Sequence, residues 1–168
     1  MERLPHAILD REPRLAKGRK VATIVAEHMS LEGTVVLDVG TGGGVIAEYF
    51  SRLVGDEGRV VGVDRIRQLP EESNVEFHLV ADAGLPFENE TFDLVISNHV
   101  IEHVGEQVDQ FQHFKELRRV VKSGGLIYLA TPNRWTPFEP HFRLPFLCWM
   151  PKTASTFFVR LFNRGVKY

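Results

Sequence analysis

The sequence predicts an α/β fold, a doubly wound and mainly parallel sheet with helices on both faces. Three observations carry this. Val35-Val36-Leu37-Asp38-Val39 is a nearly continuous apolar, β-branched run, the pattern of a strand buried on both faces. A glycine turn, Gly40-Thr41-Gly42-Gly43-Gly44, follows at once, and the next ten residues put Ile46, Phe50 and Leu53 on one helical face. Further strand patterns recur at 59–64, 75–80, 91–97 and 126–130, separated by helical or turn segments. A strand, glycine turn and helix in that order open a nucleotide-type crevice at the carboxyl edge of such a sheet, which makes the fold Rossmann-like.

Length and composition bound the rest. The chain has 168 residues, enough for one domain with a real core. The expected organisation within it is an N-terminal helical segment at 1–33, a ligand-binding core at 34–130 and a Pro- and aromatic-rich tail at 131–168. Formal charge is −2, so no strong single-sign field argues for nucleic acid, and none is expected as a partner. The one cysteine, Cys148, excludes an intrachain disulfide and fits a reducing compartment, so a cytoplasmic location is expected. No apolar run approaches the roughly 18 residues of a membrane span, and Met1-Glu2-Arg3-Leu4-Pro5 has no secretory core.

In order along the chain, residues 12–30 read as a first helix, with Pro13 in the first turn and a stripe of Val21, Ile24, Val25 and Met29. Its expected role is to cover one edge of the sheet. Strand 34–39 and helix 45–53 follow, then a turn at 55–58 and strand 59–64. The next crossover is short, because Pro70 interrupts the few residues from Arg65 to Asn74 and leaves room for one or two helical turns at most. Strand 75–80 alternates only partly, as an edge strand would. A helix over 106–122 carries an apolar stripe of Val108, Phe111, Phe114, Leu117 and Val121, with Lys115, Arg118, Arg119 and Lys122 on its solvated side. Ser123-Gly124-Gly125 is expected to cap it.

The ligand of the glycine turn is the first functional question. Gly42 to Ala47 fits the loose dinucleotide pattern G-x-G-x-x-A, with Asp64 at a suitable distance. Asp38 argues against that ligand: a carboxylate two residues before the first glycine repels a pyrophosphate and attracts a ligand with an ammonium and a sulfonium. Asp38, Gly40, Gly42 and Gly44 have the spacing D-x-G-x-G-x-G, and here the sequence resembles the class I S-adenosylmethionine-dependent methyltransferases. FDLVISNHVIEHV, from Phe92, and LRRVVKSGGLIYLATPN, from Leu117, extend the resemblance over roughly residues 34 to 133.

The resemblance implies S-adenosylmethionine as cofactor, with Asp38, Gly40, Thr41, Gly42 and Gly44 binding it, the loop after the fourth strand against its methionine part, and the first helix packed beside the pocket as the alternative to edge cover. Asp64, leaving the second strand, suits the two ribose hydroxyls, since a carboxylate accepts twice from a diol. The plainer role for Asp64 is a turn or helix-cap carboxylate. Asp82 is implied as acceptor for the adenine amine, with the adjacent Ala83 backbone addressing a ring nitrogen. The alternative for Asp82 is a turn-forming residue. Asn98 and His99 would lie nearest the reaction centre. His103 comes four residues after His99, which also permits a metal pair, but no further ligands with recognised spacing accompany them.

The tail differs from the body. Residues 131–168 hold six basic residues and one acidic, five prolines and six of the twelve phenylalanines. Regular structure is expected only after Pro151, where 153–167 can form an amphipathic helix suited to a membrane surface, an acceptor-site cover or the domain's own core. The resembling family ends in two more strands, an antiparallel pair. No good candidates for both precede Tyr168, so a truncated chain is expected, with strand 126–130 left as an edge needing cover.

Methyl transfer from a sulfonium is a direct displacement in which the protein aligns donor and acceptor. A base is needed only for an acceptor with a firmly held proton; His99, His103 and His141 are the possible bases, with His99 and His141 the catalytic candidates. The acceptor is expected to be a small molecule or a lipid-linked group. A non-catalytic S-adenosylmethionine-binding domain and, more remotely, a nicotinamide-dependent oxidoreductase are the alternatives.

Overall fold

The computed structural model describes residues 11–81, 84–133, 138–139 and 144–145. The chain divides into two compact units, Leu4–Thr131 and Pro132–Tyr168 with Met1–Arg3. In the larger unit, α1 (Arg11–Ala26) precedes β1 (Val35–Val39), α2 (Val45–Val54), β2 (Arg59–Asp64), β3 (Glu76–Leu79), β4 (Phe92–Asn98), α3 (Gln107–Val120) and β5 (Val121–Ala130). The sheet order is β3-β2-β1-β4-β5, and every pairing is parallel. The order reverses between β1 and β4, and such switch points leave a crevice at the carboxyl ends of the strands. The smaller unit contains a two-stranded antiparallel sheet of its own, β6 (Phe138–Glu139) with β7 (Leu144–Pro145).

β1 explains why the sheet needs cover on both sides. Val36 packs with Val21, Val25, Phe50 and Ile96 on one face. Leu37 and Val39 pack with Val61, Val95, Leu117 and Val120 on the other. Alternate residues of one strand therefore enter two separate cores. At Gly18 the helices α1 and α2 meet closely, since a Cβ there would lie 3.4 Å from the Tyr49 ring. β3 is an edge strand, as its partial alternation predicts. The β2–β3 crossover forms no helix; Leu69 anchors it to the α1–α2 core.

Two expectations are corrected. The predicted α3 stripe is largely exposed: Val108 is 72%, Phe111 61% and Phe114 47% accessible. The buried residues are His113, Leu117 and Val120. His113 can be buried because Ser97 on β4 supplies a polar partner, Oγ to Nε2 3.1 Å. The helix also stops before the glycines. Val121 leaves it with an extended backbone and already pairs with Phe92, while Leu126 pairs with Leu94. The glycines lie in the bulge between these pairs, where Gly124 has φ +81°. Lys122 is consequently no helix-end cation: its Nζ donates to Asp93 Oδ1 at 2.8 Å. Asp93 Oδ2 accepts from the Val35 amide at 2.9 Å, tying β4 to β1. Partial burial pushes the Asp93 carboxyl up, but these donors outweigh it and hold it below its usual range.

Candidate functional site

A cavity of 530 Å³ opens at the carboxyl ends of β1, β2 and β4. Gly40, Asp64 and His99 line it, three of the residues singled out from sequence. Asp38 and Thr41 are buried. Gly42 and Gly44 complete the turn that leads from β1 into α2. Asn98 is half-buried at the end of β4, opposite Ala130. Asp82, Ala83 and His141, like Cys148 and the 153–167 segment, lie outside the described residues.

The turn is shaped by its glycines. Gly40 has φ +71°, and a Cβ on it would collide with the Val100 side chain. Gly44 precedes α2 with φ +76° and no side-chain cap, and a Cβ there would come within 2.8 Å of Leu69. The turn is held open from below by Asp64, whose Oδ2 accepts from the Gly42 amide at 2.8 Å. Asp64 Oδ1 accepts from Arg65 N at 2.7 Å and Ile66 N at 3.4 Å. The turn-carboxylate role is thus filled, yet Oδ2 has made one bond of the two that a carboxylate oxygen can accept.

Asp38 is only 3% exposed, and neither its Oδ2 nor Thr41 Oγ1 has a hydrogen-bond partner of acceptable geometry. Burial pushes its carboxyl up to about 7. The nearby Thr41 hydroxyl and Arg14 guanidinium pull the other way, while Asp64 adds to the rise. An unpartnered acceptor of this kind under a ligand turn is a site for a cation or a donor. These features fit an adenosyl sulfonium donor: an acidic floor, backbone with no Cβ in the way and a second carboxylate facing the cavity.

Sequence reading missed several residues. Arg14, not singled out from sequence, comes from the first helix, for which edge cover and a place beside the pocket were both open, and its Nη1 lies 3.5 Å from where a Gly42 Cβ would be. Lys17, one turn later, is pushed below its usual range by burial and by Arg14, with Glu102 opposing. Glu102 itself holds His99: Oε1 lies 3.2 Å from Nδ1, and Thr131 Oγ1 donates to Oε2 at 3.4 Å. The three-residue spacing in NHVIEHV was the available signal. His99 adopts φ +59°, a strained conformation for a residue with a side chain, and its amide bonds Ala130 O at 2.8 Å. His103 ends a short 3₁₀ turn, Ile101–His103, and lines the same cavity. His113, also in the wall, is pushed below the usual imidazole range by burial. Among the described residues no group of three side chains is arranged to hold a metal ion.

Comparison with known proteins agrees with this geometry. A ubiquinone biosynthesis O-methyltransferase of Rhizobium johnstonii is 36% identical over 118 residues, 62% of this chain and 43% of the relative. The solved PH0226 protein of Pyrococcus horikoshii superposes with a TM-score of 0.57 at 35% identity, over 73% of this chain and 59% of that one. An arsenic(III) S-adenosylmethionine methyltransferase of Chlamydomonas reinhardtii superposes at 0.51 with 30% identity, over 67% and 46%. The chain spans less than half the length of the curated relatives it matches. S-adenosylmethionine is the cofactor these similarities imply, which sets the nicotinamide alternative aside. The family described as methyltransferase domain matches residues 37–129. That span is more than half of the sequence, from the strand bearing Asp38 to the edge strand β5, and the chain belongs to that family.

Proposed function

We propose that the chain is the catalytic domain of an S-adenosylmethionine-dependent O-methyltransferase acting on a small hydroxylated acceptor. When bound, the cofactor supplies an electrophilic methyl group on a sulfonium. Asp38 and Arg14 would then hold its amino-acid end, Asp38 suiting the ammonium and Arg14 the carboxylate. Asp64 would accept from the ribose hydroxyls, and Gly40, with no Cβ, would leave room for the sulfonium beside the backbone. In the same proposal Asp82 and Ala83 address the base and Asn98 the reaction centre. Residues 34–130 form the cofactor core in that proposal.

The observation that carries the reading is the His99–Glu102 pair on the wall of the cavity that Gly40 and Asp64 also line. A carboxylate only accepts, so Nδ1 carries the proton and Nε2 is the basic nitrogen. His99 would then take the acceptor hydroxyl proton as the oxygen–methyl bond forms and the methyl–sulfur bond breaks, with neutral S-adenosylhomocysteine leaving, and Glu102 would stabilise the imidazolium formed. O-methyltransferases among the relatives support an oxygen acceptor. The experiment is methyl transfer from labelled S-adenosylmethionine to a panel of phenols, catechols and their prenylated forms, followed by mass spectrometry. Product on a hydroxyl oxygen supports the reading; cofactor binding without any product favours a non-catalytic binding domain.

Two finer points belong to the same proposal. The single cysteine supports a cytoplasmic location. The basic, aromatic tail supports contact with a lipid surface or a lipid-linked acceptor. No described helix is long and apolar enough to cross a membrane. Sedimentation with anionic vesicles tests the tail, and absence of the full chain from the pellet rejects it.

A further inference from the structure

Glu116 and Arg119 are absent from the cavity wall, yet they grip a residue that forms it. Leu85 lines the cavity and is buried. Glu116 Oε2 accepts from the Leu85 amide at 2.9 Å, and Arg119 Nη2 donates to the Leu85 carbonyl at 2.9 Å. Arg119 Nη1 continues along the loop, donating to Phe87 O at 2.7 Å and Asn89 Oδ1 at 3.1 Å. The two side chains also lock each other, Nε to Oε1 at 2.9 Å and Nη2 to Oε2 at 2.7 Å. That pairing, stronger than the opposing effect of burial, holds Glu116 below its usual carboxylate range. The backbone ends the arrangement, with Glu90 N bonded to Arg119 O and Thr91 N to Val120 O.

The β3–β4 connection has no regular structure around Leu85, so its backbone groups need partners from elsewhere. α3 supplies them in a fork geometry that lysine cannot reproduce. Val80, Ala81 and Leu85 make an apolar wall beside Asp64, which suits the base end of an adenosyl group whose ribose lies at Asp64. We propose that Glu116 and Arg119 are positioning residues for the cofactor's adenosyl end, setting the wall at Leu85 before the ligand arrives. The proposal rests on the adenosyl-donor reading of the cavity. A wall left loose must be ordered at binding, and ordering one backbone residue corresponds to about tenfold in affinity.

The test is calorimetric titration of the full chain with S-adenosylhomocysteine and with 5′-methylthioadenosine, which lacks the amino-acid end. In Arg119→Lys both ligands should weaken by about tenfold, with the binding stoichiometry unchanged. Glu116→Gln keeps an acceptor for the Leu85 amide and should lose less, again equally for both. Unchanged affinity in both variants overturns the proposal. So does reduced stoichiometry at constant affinity, which reports misfolding alone, or weakening confined to S-adenosylhomocysteine, which points to the amino-acid end. If Arg119→Lys does not fold, Glu116→Gln decides by the same criteria. Failure of the unsubstituted chain to bind either ligand removes the cofactor reading itself, and the proposal with it.

Discussion

Asp38 shows how one buried atom sets a pH window. Its carboxyl lies at about 7 in the folded chain against 3.8 unfolded. The folded state therefore holds the extra proton, so this group's contribution is fully present below the unfolded value and is lost as pH rises through 7. Thermal stability of the ligand-free chain is expected to fall between pH 4 and 7 more steeply than in Asp38→Asn, measured as the difference between two melting series. A cationic ligand reverses the preference, so S-adenosylmethionine binding should tighten as pH rises through 7, and Asp38→Asn should flatten that dependence. At the reaction end, His99→Ala is expected to lower kcat by about 10²–10⁴. Glu102→Gln should lower it less, with little change in cofactor affinity. A His99→Ala variant retaining full turnover would mean the acceptor needs no base. Asp38 was legible because charge chemistry and glycine spacing are local. Arg14 was not, since the packing of α1 beside the turn decides what it faces.

α3 teaches the limits of pattern at the level of an element. Its hydrophobic stripe and its packed face differ, because His113 has a polar partner inside while Phe111 and Phe114 are largely exposed. Phe111→Ser should therefore shift unfolding free energy by less than about 0.5 kcal/mol, whereas Leu117→Ala should cost roughly 2–5 kcal/mol. Urea denaturation of the two variants compares them directly; a larger loss at Phe111 would place it in a core. The glycine bulge of β5 was misread as a helix cap for a related reason. Glycine marks a positive φ equally well in either setting, and only the Val121–Phe92 pairing shows which one applies.

The whole larger unit is organised by a five-stranded parallel sheet whose edge strands, β3 and β5, have no second neighbour among the described residues. A ligand seated across β1, β2 and β4 contacts the middle of that sheet, so binding should be felt globally. S-adenosylhomocysteine at a hundred times its dissociation constant is expected to raise unfolding free energy by about 2.7 kcal/mol, read as a shift in the urea midpoint. No shift would mean the cavity does not hold it. By itself the sequence determined the strands, the glycine turn and the acidic floor, because each is written in neighbouring residues whose burial or φ preference is intrinsic. Only the tertiary structure decided that Arg14 faces the turn, that Glu102 holds His99 and that α3 clamps Leu85. Those contacts join residues through packing and strand order, and no local periodicity encodes the distance between them.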